Sequence, residues 1–176
     1  MFTVQLGLEI LERTPSVLRA WLGGLSPEWL AANEGPDTWN PYDVVGHLIH
    51  GERTDWMARA DIILGGGGTF ATFDRLAQFR ESEGKSLAQL LDEFAEVRRA
   101  NVARLRSLAL TDADLQKTGT HPKFGTVTLR QLLSTWVAHD LSHIRQIVRT
   151  MGREYAEAVG PWTAYLPMLR PEAGEA

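Results

Sequence analysis

Apolar residues recur along this chain at three- and four-residue intervals in four long segments, the spacing of helices that bury one face. The first segment covers residues 2–25, with Thr14-Pro15 inside it and Gly23-Gly24 at its end. Proline lacks an N–H and crowds the preceding turn, so the pattern predicts either one kinked helix or a break and restart. A short capped turn at Ser26-Pro27-Glu28-Trp29 and a polar loop follow. The second helix is predicted from Asn40, a good N-cap, with Pro41 at the first helical position, continuing to Leu64. Gly65-Gly66-Gly67-Gly68 ends it, and residues 65–85 read as a long, mobile connection. Ser86 and Gln89 form a capping-box pair for the third helix, whose stripe is Leu87, Leu90, Leu91, Phe94, Val97, Leu105 and Leu108. Thr111 to Asp114 suggests a helical turn, and residues 118–127 a loop or small hairpin turning at Pro122 and Gly125. Thr128 and Gln131 repeat the cap for a fourth helix reaching Met151, and Gly160-Pro161-Trp162 opens a last short one.

Four amphipathic helices, none apolar all round, must bury their stripes against one another. The expected fold is therefore all-α, a four-helix bundle with long connections and a short extra C-terminal helix. Residues 1–170 are expected to form one domain, with residues 171–176 as a disordered tail.

Helical wheels then separate ordinary polar residues from unexpected ones. His139 and His143 sit one turn apart on the inward edge of the fourth helix, where both rings can converge on one ion. On the second helix, His47 falls at the stripe edge beside the small residues Gly51 and Ala58, while His50 faces away from the core and is expected to be solvated. His121, in the Thr120-His121-Pro122 loop, is expected at the surface, and spacing does not decide whether it overhangs a site. Glu52, Asp140 and Arg98 fall inside apolar stripes, and Asn101 shares the stripe of Arg98. A buried carboxylate needs a donor, so Arg98 is the expected partner of the two acids in a partly buried polar layer. Alternatively, Glu52 or Asp140 orients an imidazole through its second nitrogen. For the three inward histidines, metal binding and simple core packing remain competing readings.

Composition sharpens this choice. The 176 residues carry 18 Lys plus Arg against 22 Asp plus Glu, 5 His and no Cys. A mildly acidic chain without a basic run excludes electrostatic nucleic-acid binding and a polybasic membrane anchor. No run of about 18 apolar residues predicts a membrane span, and no secretory leader stands at the N-terminus, so a soluble cytoplasmic protein is expected. Without cysteine there is no thiolate nucleophile and no Cys-type zinc site, so any metal must be held by imidazole and oxygen.

Two stretches carry a family likeness. Trp39-Asn40-Pro41-Tyr42-Asp43-Val44-Val45-Gly46-His47-Leu48 resembles the W-S-x-x-(E/D)-x-x-x-H-L signature of the DinB/YfiT-like superfamily, and His139-Asp140-Leu141-Ser142-His143-Ile144-Arg145-Gln146-Ile147 resembles its closing element. The resemblance implies a four-helix bundle, often homodimeric, holding a divalent metal through His47, His139 and His143. His50 and His121 have no ligand counterpart in that pattern. Family chemistry is diverse and includes thiol-dependent transferases and an isomerase, so the resemblance names no catalytic acid or base. Three imidazoles suit Zn²⁺ or Ni²⁺ and leave a position open, as in catalytic sites. The expectation is a metal-dependent transferase or hydrolase that turns an external low-molecular-weight thiol, or water, on a small electrophilic substrate. The alternative is a stress-associated bundle that binds metal or a small ligand without turnover.

Overall fold

The computed structural model describes residues 2–169, so the expected tail lies outside the described residues. The long helices are α1 (Val4–Leu22), α3 (Pro41–Thr54) continued by α4 (Trp56–Leu64), α6 (Leu87–Ser107) and α8 (Leu129–Arg153). Shorter helices α2 (Pro27–Ala31), α5 (Ala77–Ser82) and α7 (Asp112–Gln116) lie between them. Strands β1 (Thr118–His121) and β2 (Gly125–Thr128) form an antiparallel hairpin that pairs Thr118 with Thr128 and His121 with Gly125. The short helix expected from Gly160 is a 3₁₀ helix, Gly160–Tyr165, rather than an α-helix, and a second 3₁₀ turn, Pro167–Leu169, follows it.

The predicted caps form: Asn40 with Asp43, Ser86 with Gln89, Thr111 with Asp114 and Thr128 with Gln131 each make a reciprocal capping box. Each cap satisfies backbone N–H groups that a helix start leaves open, worth about 1 kcal/mol.

In the bundle, α1 packs on α6 and α8, and α3 also packs on α6 and α8, while α4 adds to the contact with α8. The first and second long helices are therefore diagonal to each other, as are the third and fourth. Each diagonal step needs a long connection, which explains residues 23–40 and 108–128.

The second helix departs from the expected single rod. It is interrupted at Asp55, with φ −110° and ψ −71°, although Asp55 N still bonds the Gly51 carbonyl and Arg59 N the Asp55 carbonyl. Beside the interruption, the Thr54 hydroxyl donates back to the His50 carbonyl at 2.8 Å, and Arg59 pairs with the Asp55 carboxylate one turn on. Side-chain back-bonding of this kind bends helices.

Two apolar clusters fill the bundle, one around Leu11, Trp56, Leu105 and Trp136, the other around Leu18, Leu48, Phe94 and Ile147. A charged layer lies between them in sequence on α3, α6 and α8. Arg98 is 1% exposed and grips Asp140 with two bonds, Nη1–Oδ2 at 2.5 Å and Nη2–Oδ1 at 2.9 Å. Its Nη2 also lies 2.9 Å from Glu52 Oε1, which accepts from Trp136 Nε1 at 2.8 Å. Asn101 Nδ2 donates to both the carbonyl and the carboxylate of Glu52. Burial opposes the charge on Arg98, but the Asp140 and Glu52 carboxylates outweigh it and raise the pKa of the guanidinium.

Candidate metal centre

The site lies at the height of this charged layer, where α3 and α8 face each other. Its first determinant is local. Gly46 lets a neighbouring segment approach α3 closely, because a Cβ there would stand 2.5 Å from Ser82 Oγ. The Tyr42 hydroxyl donates towards the Ser82 and Lys85 carbonyls at 2.6 and 2.9 Å, tying down the same segment. The connection expected to be open chain thus contains α5, folded against α3.

This packing corrects the placement of His50. The wheel of α3 alone puts it in solvent, yet it is 5% exposed, because α5 covers that face. Its Nδ1 lies 3.1 Å from both oxygens of the Glu81 carboxylate, and its ring meets Phe73 edge-on at 4.9 Å.

His47, His139 and His143 converge as their spacing suggested. Nε2 of His139 lies 3.1 Å from Nε2 of His47 and 3.1 Å from Nε2 of His143. Each residue offers a ligand atom within 4.8 Å of the other two. Trp39 walls the cluster, 4.7 Å from the His47 ring and nearly parallel to His143 at 6.3 Å. Trp56 meets the His139 ring edge-on at 5.0 Å.

The outer nitrogens fix the tautomers. His47 Nδ1 donates to Gln78 Oε1 at 3.0 Å, and His143 Nδ1 donates to Gln146 Oε1 at 2.8 Å. An amide oxygen only accepts, so both protons sit on Nδ1 and both Nε2 atoms present lone pairs to His139. Protonation does not relieve this crowding. Burial, followed by the neighbouring His143, lowers the His47 pKa to about 3, and burial with both partner histidines lowers that of His139 to about 2. Burial also lowers His143, partly offset by Gln146 and Asp140. A single proton on His139 Nε2 serves one of its two neighbours well, whereas a cation serves all three lone pairs. The 3.1 Å separations approach the roughly 3.3 Å edge of a tetrahedron with Zn–N bonds of about 2.0–2.1 Å. The residues present fit a divalent ion, and the triad is able to hold one.

Glu52 and Asp140 do not orient the imidazoles; both are committed to Arg98, and the glutamines hold the outer nitrogens of His47 and His143 instead. His139 Nδ1 is buried without a hydrogen-bond partner among the described residues. Sequence reasoning missed both glutamines. Gln146 stands three residues after His143, on the same face of α8, a spacing that makes it a visible candidate. Gln78 is far from His47 in sequence and carries no such signal. His121 ends β1, and its Nδ1 accepts from the backbone amides of Lys123 and Phe124.

Two cavities reach the triad from different sides. One of about 800 Å³ opens on His143 and is polar, with Glu34, Trp39, Arg75 and Ser142 in its wall. The other, about 300 Å³, opens on His139 between α4, the hairpin and α8. No helix among the described residues is long and apolar enough to cross a membrane.

The fold has solved relatives. YfiT from Bacillus subtilis, a probable metal-dependent hydrolase with an unusual four-helix bundle topology, superposes with a TM-score of 0.75 at 22% identity. The match covers 86% of this chain and 87% of that one. No curated protein matches the sequence significantly. The family model of the DinB superfamily matches residues 10–147, through the three facing histidines and most of the bundle, and the chain belongs to that superfamily.

Proposed function

We propose that this protein is a metal-dependent transferase or hydrolase that turns an external low-molecular-weight thiol, or water, on a small electrophile. The observation that carries the reading is the set of three mutually facing Nε2 atoms, two of them locked as lone-pair donors by Gln78 and Gln146. His47, His139 and His143 would hold the ion, with Zn²⁺ or Ni²⁺ the expected occupants. A divalent ion with three neutral imidazole ligands supplies Lewis acidity that makes a nucleophile from water or a thiol near neutral pH.

The chain's own groups supply the rest. Burial keeps the imidazoles neutral and therefore ready to bind. The glutamines hold two rings in a fixed tautomer and orientation. Trp39 and Trp56 lie against the triad rings and wall the two cavities that reach them. The polar cavity beside His143 has room for a hydrophilic co-substrate, and Arg75 and Ser142 offer donors to it. Because the chain has no cysteine, a thiolate must arrive with the co-substrate. Attack forms an S–C or O–C bond while the bond to the leaving group breaks, and the proton of the nucleophile passes to solvent.

Elemental analysis of protein purified without a His-tag tests the metal. Stoichiometric Zn or Ni is expected in the natural sequence, and its loss in His139→Ala. Full metal content in His139→Ala would overturn the assignment. A turnover screen pairing bacillithiol, mycothiol, glutathione or water with electrophilic acceptors then separates an enzyme from a metal-binding bundle without activity.

A further inference from the structure

The smaller cavity differs in character from the polar one. Its wall is built from Trp56, Phe70, Phe73, Phe124 and Leu132, and His139 stands at its inner end. Its position depends on the hairpin. Phe70 lies against Gly119 so closely that a Cβ there would come within 2.5 Å of the ring. The backbone pairing of Phe70 N with the Thr120 carbonyl, at 2.9 Å, holds the two together. At the hairpin turn His121 stacks on Phe124, centroids 4.5 Å apart and planes 21° apart, and meets Phe70 edge-on at 6.3 Å.

The charges in this cavity are already matched. Arg59 pairs with Asp55 one turn earlier, and its guanidinium lies 5.2 Å over the Phe70 ring. In the metal-free protein a charged guest of either sign would give up its hydration and gain no unmatched partner there. A planar, uncharged guest would replace water against aromatic faces and edges, where stacking adds to simple area burial.

We propose that this cavity is the subsite for an uncharged aromatic group of the electrophilic substrate, presented to the triad from the His139 side. The inference rests on the metal-dependent reading for its catalytic meaning, and it assigns the two cavities different guests. The hydrophilic co-substrate approaches past His143, and the apolar part of the electrophile approaches past His139. The hairpin, peripheral to the bundle, is then the element that selects the substrate, with Phe124 as its rim.

The test uses ¹⁹F NMR titration of the full chain with 4-fluorobenzyl alcohol, and with 4-fluorobenzoate and 4-fluorobenzylammonium as charged counterparts. Metal-free and Co²⁺-loaded protein are titrated in parallel. Saturable binding of the alcohol is expected, about tenfold tighter than either charged probe in the metal-free protein, with enhanced relaxation of the bound alcohol signal when Co²⁺ is present. Thr135, an exposed residue of α8 on the cavity wall, accepts a bulky plug without entering the core. Thr135→Trp is expected to abolish binding and the relaxation enhancement while leaving thermal unfolding and metal content unchanged. Phe124→Ala, at a residue 69% exposed, is expected to weaken binding severalfold and guards against misfolding of the plugged variant. Unchanged binding in both variants, or tighter binding of either charged probe to the metal-free protein, would overturn the subsite. If the protein takes up no Co²⁺, the metal reading fails, and the metal-free titration still decides the subsite.

Discussion

Pro15 and Arg98 meet through one carbonyl. The proline has no N–H to donate to Leu11, four residues back, and Arg98 Nη1 donates to that oxygen instead, at 2.9 Å. A proline inside α1 would ordinarily leave an acceptor unmet in the core. Here it opens the acceptor that orients a buried guanidinium, whose other Nη hydrogens face Asp140 and Glu52. The charged layer is thus anchored on all four long helices, one residue away from His139.

Arg98→Met removes the partner of two buried carboxylates. Asp140 is 0% exposed and Glu52 3%, so neither finds water as a substitute. Breaking a buried pair in this way costs about 3–5 kcal/mol. Urea unfolding of the metal-free protein is expected to show a loss of that size. Arg98→Lys should recover only part of it, because an ammonium cannot make the two-pronged contact with Asp140. A variant as stable as the natural sequence would contradict the role of the layer.

Gln78→Leu separates orientation from stability. The Gln78 side chain fixes His47, but its Nε2 is buried without a hydrogen-bond partner among the described residues. Leucine has a similar volume and removes that unmet donor, so the change in unfolding free energy should stay within about 1 kcal/mol. Metal affinity, measured by competition with a chromophoric chelator, should fall about 10- to 100-fold, the usual effect of losing the partner of a ligating histidine. Equal affinity would mean that Gln78 does not position His47.

These two variants mark what the sequence could and could not reveal. Arg98, Glu52 and Asp140 stood out because a charge inside a 3.6-residue apolar stripe is visible from one helix alone. The triad was visible for the same reason, being carried on two long helices with regular spacing. Gln78 and the burial of His50 depend on α5, a six-residue helix that follows a glycine run and packs through Gly46. Nothing local in residues 65–85 announces that contact. The interruption at Asp55 was equally hidden, since the apolar pattern continues through it. The pairing of Phe70 with Gly119, which shapes the smaller cavity, joins segments about fifty residues apart and has no local signature.

His50→Gln tests the division of the five histidines. The His50 ring faces Glu81 and Phe73 rather than the triad. The variant should retain stoichiometric metal by elemental analysis, in contrast to His139→Ala. It should lose a modest amount of stability, about 1 kcal/mol, through the weakened contact with Glu81. Metal loss in a folded His50→Gln protein would place a fourth histidine in the centre and contradict the geometry.

The acid response of the metal-free protein follows from the lowered pKa values of the triad. In the unfolded chain a histidine takes up a proton near its ordinary value of 6.5, whereas the folded protein holds His47 to about 3 and His139 to about 2. Between those limits the unfolded state binds more protons, so stability is full above pH 6.5 and declines as the pH falls towards 3. Each of the two histidines contributes a slope of up to about 1.4 kcal/mol per pH unit. Chemical unfolding at a series of pH values should show this decline, and His47→Phe should flatten it. In the metal-loaded protein the folded imidazoles do not protonate until the fold itself is strained. Metal release, followed with a chelating dye, should therefore coincide with loss of helical circular dichroism. Release near pH 6 from a protein that remains fully helical would show that the triad titrates as exposed histidines do, against the burial that defines the site.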